Sequence, residues 1–490
     1  MTARNIHIIG IARIFTILFL FLVHACQKDE VEDPDDEPLF AVETGNSDIP
    51  YMVIETRGLG ILNEPKIPAD LSIYVQKVEI QSATIGIEFR GSTSFRISDK
   101  KSFGIETWDK DGNDMDVAFF DFPEEEDFIL LGHIVNLDNK YVFDRTLIYN
   151  LFAYRLSSKM GNYASRTKMV ELEINGDYKG VYIFLEKLKR DKNRIDIKKL
   201  EPADADSAAI TGGYILKIDK TAGGDLNIDK PLEYFENNWA DDARYSPDIS
   251  FRSEYDIYGS PIDFQAFDEP YHPKQYLETY FLYEYPKADL ITEAQKTYIQ
   301  TYMHDFETAL LNDDFTSDQR SYTKFIDRES FVDFFIVNEI CRNIDGYRLS
   351  TYMHKDRGGL LKMGPVWDMN IGFFSSDRVP MNDWVIHYNN YVNEDAWMMP
   401  FWWPRLMEDP QFRELLLTRW SEMRSTVLSV SEMHWIVDMA AAKLRSNEAV
   451  DRNYKRWDQG IGIDWETSIQ NLNSYIEERV LWMDGEISSL

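Results

Sequence analysis

The spacing of apolar residues changes once along the chain, and that change limits the fold more than any other feature. From Tyr51 to about Asp109 the segments YMVIET, LSIYV, ATIGIEFRG and KSFGIETWD alternate or run apolar, as strands do. KMVELEI and DYKGVYIFLEK flank Asn175-Gly176, and Asn-Gly between alternating runs is a strong hairpin signal. GGYILKID, Gly212 to Asp219, reads as a further strand, and Asp144 to Met160 as a helix with Leu147, Leu151, Tyr154 and Leu156 on one side. Beyond about Asp289 the spacing becomes three and four. Tyr298, Tyr302, Phe306 and Leu310 form one stripe, and Phe331, Phe335 and Glu339 a second. Phe412, Leu416, Trp420, Met423 and Val427 form a third, and the series from Ile469 to Ile487 a fourth. Such stripes face a core. The expected class is α+β, with a β-rich part over 50–288 and a mainly helical part over 289–490, the latter interrupted by a β-hairpin at 347–368.

The first residues belong to targeting rather than to the fold. Arg4 and Arg13 precede the ten-residue apolar run Ile14 to Val23, which is too short to span a bilayer as a helix. VHAC, ending at Cys26, resembles a bacterial lipobox, so residues 1–25 are expected to be a signal peptide and Cys26 the lipidation site. QKDE follows, opening an acidic tether over 26–49 that is similar to the surface-export signal of Bacteroidetes lipoproteins. The implied location is the outer membrane, lipid-anchored and facing the exterior. Cys341 is the only other cysteine and sits in an apolar helical run, where a buried structural thiol is expected.

A net charge of -32 repels phosphates from most of the surface, so no nucleic-acid partner is expected. HExxH, GxSxG and GxxxxGK[ST] are all missing, which removes zinc-protease, serine-hydrolase and P-loop readings. What remains is NIDGYRLSTYMHKDRGGLLKMGPVWDMNIGFF, residues 343 to 374. It sets Asp345 and the step Asp368-Met-Asn370 on either side of a hairpin. That pattern suits a metal ion with a polyanion, or a buried polar turn. Asp368 lies behind Gly364-Pro365 and beside Trp367, where an unpaired carboxylate is costly to bury, so a partner is expected.

Five blocks in order carry a resemblance. They are RGSTS with KKSF, the stretch from DRTLIYNLF to NGDYKGVYIFLEK, GGYILKID, FVDFFIVNEICRNIDGYRLSTY, and GPVWDMNIGFF. Together they resemble the CotH kinase family over roughly residues 50 to 485. The resemblance implies an atypical, two-lobed, protein-kinase-like fold and transfer of a phosphoryl group from ATP, with Mg²⁺, to Ser or Thr of a surface or secreted protein. Carried over by position, Lys101 and Arg90 would contact phosphates and Glu186 would orient Lys101 by an ion pair. Asp345 would accept or orient the acceptor proton, and Asp368 with Asn370 would hold the metal. Two positions depart from the pattern. Ser350 stands where protein kinases carry a metal-binding Asn, and Asn370 where an acid is common; a neutral ligand holds Mg²⁺ less well.

An outer-membrane surface also offers little ATP, so a catalytically inactive relative that binds a glycan or a protein partner is the competing reading. WMMPFWWPR, Trp397 to Arg405, with Trp384 nearby, would then serve as a sugar-stacking platform or else pack a helix.

Overall fold

Seven strands in the first part of the chain pair edge to edge until no edge is left. They are β1 (Tyr51–Glu55), β2 (Ile67–Val75), β3 (Val78–Arg90), β4 (Ser102–Trp108), β5 (Asp127–Leu131), β8 (Thr167–Ile174) and β9 (Asp177–Glu186). The order around this closed barrel is β1-β2-β3-β4-β5-β9-β8, with β1 and β8 parallel at the closure. Closure removes the unpaired rows of N–H and C=O groups that an open sheet exposes. The structure is a computed structural model, and it describes residues 48–206, 208–221, 239–374, 376–446, 448–458, 460–462 and 464–490. Cys26, the signal peptide and nearly all of the tether lie outside the described residues.

The expected hairpin is present. Asn175 and Gly176 take φ of 52° and 77°, the two positive angles of a type I′ turn, and Ile174 pairs with Asp177. Alternate strand residues point inward, so Met52, Ile54, Leu71, Ile85, Ile105, Phe128, Leu172 and Phe184 fill the barrel. A short helix, α1 (Thr93–Ile97), follows the end of β3, and the small ribbon of β6 (Val135–Asn136) and β7 (Tyr141–Val142) leads to α2 (Tyr149–Lys159). The helix at α2 starts later than Asp144 because the Asp144 carboxylate accepts from the backbone N–H groups of Leu147 and Tyr149 and from the Thr146 hydroxyl. Asp144 therefore caps the turn that precedes the helix.

A second sheet crosses the boundary expected at 288/289. Its order is β11 (Ser250–Arg252), β12 (Tyr280–Tyr285), β10 (Tyr214–Ile218), β13 (Thr351–Lys355), β14 (Leu361–Met363). The hairpin that interrupts the helical half thus pairs with strands from the β-rich half, and the two halves share one sheet. Helices α3 (Glu293–Leu311), α4 (Arg328–Cys341), the one-turn α5 (Tyr388–Tyr391), α6 (Trp402–Glu408), α7 (Pro410–Arg424), α8 (Val430–Ser446), α9 (Ala449–Trp457) and α10 (Trp465–Ser488) complete the chain. Among the described residues no helix is long and apolar enough to cross a membrane. α9 packs against β9, where the Asn453 amide oxygen accepts from Val181 N–H and from the buried Lys100.

Helix α4 is buried from Phe331 to Cys341. Glu339 lies on its apolar stripe with no exposure, and Arg479 of α10 is 1% exposed. Arg479 donates from Nη2 to Glu339 Oε2 at 2.9 Å and from Nε to the Glu339 carbonyl at 2.8 Å. Val385 N–H, Ile386 N–H and the Tyr347 hydroxyl donate to the same carboxylate. Burial pushes the Glu339 carboxyl up, and Arg479 opposes the shift. Removing one partner leaves an uncompensated buried charge, so Arg479→Met should lower the unfolding free energy by about 3–5 kcal/mol. Adding Glu339→Gln should recover much of that loss. Urea unfolding of the two variants, with unchanged slopes, checks both outcomes.

Candidate active site

A cleft of about 830 Å³ opens between the end of β3, the second sheet and the turns after α4 and β14. That volume suits a ligand of nucleotide size. Arg90, Asp345, Asp368 and Asn370 line it, as do Lys217, Asp219, Lys220, Arg348 and Ser350.

Asp345 is placed by the end of α4. Arg342 takes φ of 47° and stops the helix, and the chain then turns so that Arg348 and Leu349 N–H both donate to the Asp345 carbonyl. Gly346 is required there, because a Cβ would stand 2.1 Å from Asn338 Oδ1. The Asp345 carboxylate accepts from Arg348 Nη2 at 2.6 Å. Arg348 is itself buried, stacked 4.3 Å from the Tyr388 ring and bonded to the Trp397 carbonyl.

Asp368 is placed by α2. Asn150 and Tyr154, one helical turn apart, both reach the segment after β14. The Asp368 N–H donates to the Tyr154 hydroxyl at 3.2 Å and the Met369 N–H to Asn150 Oδ1 at 2.9 Å. Trp367 stacks on Tyr154 at 5.7 Å. These contacts hold Asp368 at φ of 56°, a left-handed conformation that Asp tolerates better than most residues. Asn370 differs from its expected part as a metal ligand. Its side-chain oxygen accepts from Asn150 at 3.2 Å and its amide donates to Asp368 Oδ1, so it orients the aspartate.

Lys101 and Glu186 are not brought together, and neither lines the cleft. The strand register is the reason. Across β4, β5 and β9, Glu186 stands level with Phe128 and Ile105, whereas Lys101 lies four residues before Ile105. At about 3.3 Å per residue that separates them by roughly 13 Å along the strands. Glu186 is buried and accepts from Arg166 at 2.7 Å and from Tyr163. Lys101 donates to the Phe95 carbonyl and lies over the Phe95 ring. The sugar-stacking platform is also absent as a surface: Trp402 and Trp403 are 0% and 1% exposed, packed against Phe306 and Phe331. Cys341 is buried, as a structural thiol should be.

The residues that sequence reasoning missed sit mostly at the end of β10. Lys217 Nζ lies 3.3 Å from Glu284 Oε2 and 3.7 Å from Asp219 Oδ2, and Lys220 donates to the Thr93 hydroxyl at the start of α1. The signal was the charged ending of GGYILKIDK, where an acid between two lysines follows an apolar strand.

Electrostatically the cleft is a negative well with cations on its walls. The Asp368 carboxyl is pushed up to about 7, first by burial and then by the charges of Asp345 and Asp219, against the Asn370 N–H and Arg90. A carboxylate held in this way calls for positive charge, and oxygen donors suit a hard divalent cation.

The sequence profile of the CotH kinase protein family matches residues 87–483. The chain belongs to the CotH kinase family. The CotH match begins inside β3, so β1 and β2, which help close the barrel, precede it. No individual curated protein matches the chain.

In the metal-free protein the raised Asp368 binds a proton that the unfolded chain has already released between about pH 4 and pH 7. Stability from this group therefore falls as pH rises through that window and is level above it. Asp368→Asn should raise the melting temperature at pH 8 and leave it nearly unchanged at pH 4. Thermal unfolding in the presence of a chelator reads both.

Proposed function

We propose that this CotH family protein is a two-lobed, protein-kinase-like phosphotransferase, moving a phosphoryl group from ATP to a Ser or Thr hydroxyl of a surface or secreted protein. The observation that carries the reading is that Asp345 and Asp368, set on separate turns, line one cavity together with Arg90. A magnesium ion bound with the nucleotide would supply neutralisation of the phosphates and of the charge that develops on transfer.

The protein's own residues have distinct parts in this reading. Asp368 holds the cation, with its carboxylate aimed by the Asn370 amide and its backbone fixed by Tyr154. Arg90 binds phosphate oxygens from the turn that enters α1. Asp345 takes the acceptor hydroxyl's proton as its oxygen bonds to the γ-phosphorus and the bond from that phosphorus to the β,γ-bridging oxygen breaks, ADP leaving; its pairing with Arg348 fixes the direction of the carboxylate. Lys217 and Lys220 take the place first expected of Lys101, as further cations lining the cleft. Anchoring through a lipid on Cys26, at the outer membrane and facing outward, belongs to the same proposal.

Calorimetry with Mg-ATP is expected to show binding to the purified chain and none to Asp368→Ala. With γ-labelled ATP and a Ser/Thr peptide library, Asp345→Asn should keep binding within a few fold and lose at least about 100-fold in transfer. Binding without transfer in the unsubstituted protein would favour an inactive relative that keeps the cleft.

A further inference from the structure

Asp219 closes β10 at the point where that strand faces the turn carrying Ser350. In the antiparallel ladder Ile218 pairs with Thr351, so Asp219 and Ser350 are the next facing residues. Ser350 takes φ of 49°, and its backbone N–H favours the charged form of the Asp219 carboxylate. The Lys220 N–H donates to Asp219 Oδ1 at 2.9 Å. The Lys220 N–H thus holds one oxygen and Lys217 Nζ stands 3.7 Å from the other, while a carboxylate offers about four lone-pair positions, so acceptor capacity remains on the cleft side. The Tyr245 hydroxyl donates to the Asp219 carbonyl at 2.7 Å and pins the backbone at the same place.

Asp345 is built differently. A buried guanidinium donates to its carboxylate at 2.6 Å, much closer than the 3.7 Å between Lys217 and Asp219, and that bonded charge opposes a metal ion on the same oxygens. One small cation also does not suit all three aspartates. Among the described residues, the acidic group whose oxygens all lie within 4.8 Å of one another is Glu125, Glu126 and Asp127, which is already bridged by Lys189. Mg²⁺ is commonly held by one or two carboxylates at about 2.1 Å, with phosphates and waters completing the octahedron.

We infer that Asp219, with Asp368, forms the carboxylate pair that holds the divalent cation, and that Asp345 stays outside its coordination. This rests on the phosphotransferase reading above and adds the ligand that Ser350 does not supply. The acid on β10 stands across the ladder from the position where a metal-binding side chain was expected. The metal site therefore joins the second sheet to the turn after β14.

The test is a titration with Mn²⁺ alone, in which free ion is counted by electron paramagnetic resonance. Asp219→Asn keeps an acceptor for the two N–H groups while removing the charge, and Asp219→Ser is a second, shorter replacement; circular dichroism confirms folding of each. Both should weaken Mn²⁺ binding at least about tenfold, whereas Asp345→Asn should stay within about threefold of the unsubstituted protein. Tight binding in both Asp219 variants, with binding lost in Asp368→Asn, would overturn this assignment and leave the phosphotransferase reading standing. Absence of Mn²⁺ binding in the unsubstituted protein would overturn both.

Discussion

The Glu339–Arg479 pair is the contact on which the arrangement of the cleft depends. Both side chains are cut off from solvent, so neither charge is tolerable without the other. Glu339 is two residues from the end of α4, and the chain leaves that end through Arg342 into the Asp345 turn. Tyr347, inside that turn, donates to Glu339, as do the backbone groups at 385 and 386. One carboxylate therefore ties together the last helix, the turn that carries Asp345 and the segment leading to Tyr388, whose ring covers Arg348. A carboxylate with this many donors cannot shift without leaving several of them unsatisfied. Asp345 is held in place by charge satisfaction several residues away from it.

The other wall is held by neutral contacts. Asn150 and Tyr154 on α2 grip the backbone around Asp368, while the carboxylate itself faces other acids. The two halves of the site thus obey opposite rules: a fully paired acid supports Asp345, and an acid crowded by like charge waits at Asp368. In a chain of net charge -32, Arg90, Lys217, Lys220 and Arg348 line the cleft beside its acids. Acidic side chains still outnumber basic ones in that lining, so a polyanionic ligand needs a cation bound with it there.

Much of this was legible in the sequence, and the division between legible and hidden follows the range of the interactions. The Asn175-Gly176 hairpin and the helical stripes are set by near neighbours; Asp345 and Asp368 stand out locally as acids at breaks in periodic segments, while distant contacts place them. The Lys101–Glu186 pairing failed because it depended on register across three strands, which local pattern does not encode. Trp402 and Trp403 were open to two readings for the same reason, since an aromatic run looks alike whether it is packed or exposed. Asp219 was passed over because its partner in the site is Ser350, 131 residues later, and only the β10–β13 pairing brings them face to face. The boundary expected at 288/289 divides a sheet because the hairpin after α4 returns to β10.

The central claim is that a divalent cation and a nucleotide occupy the cleft at the Asp368 turn. The most direct measurement is a crystal structure of the protein with Mn²⁺ and a non-hydrolysable ATP analogue, using anomalous scattering to locate the metal. The account predicts a manganese peak bound by Asp368, with the phosphates directed toward Arg90. A peak confined to Glu125, Glu126 and Asp127, or a nucleotide bound away from Asp368, would contradict it.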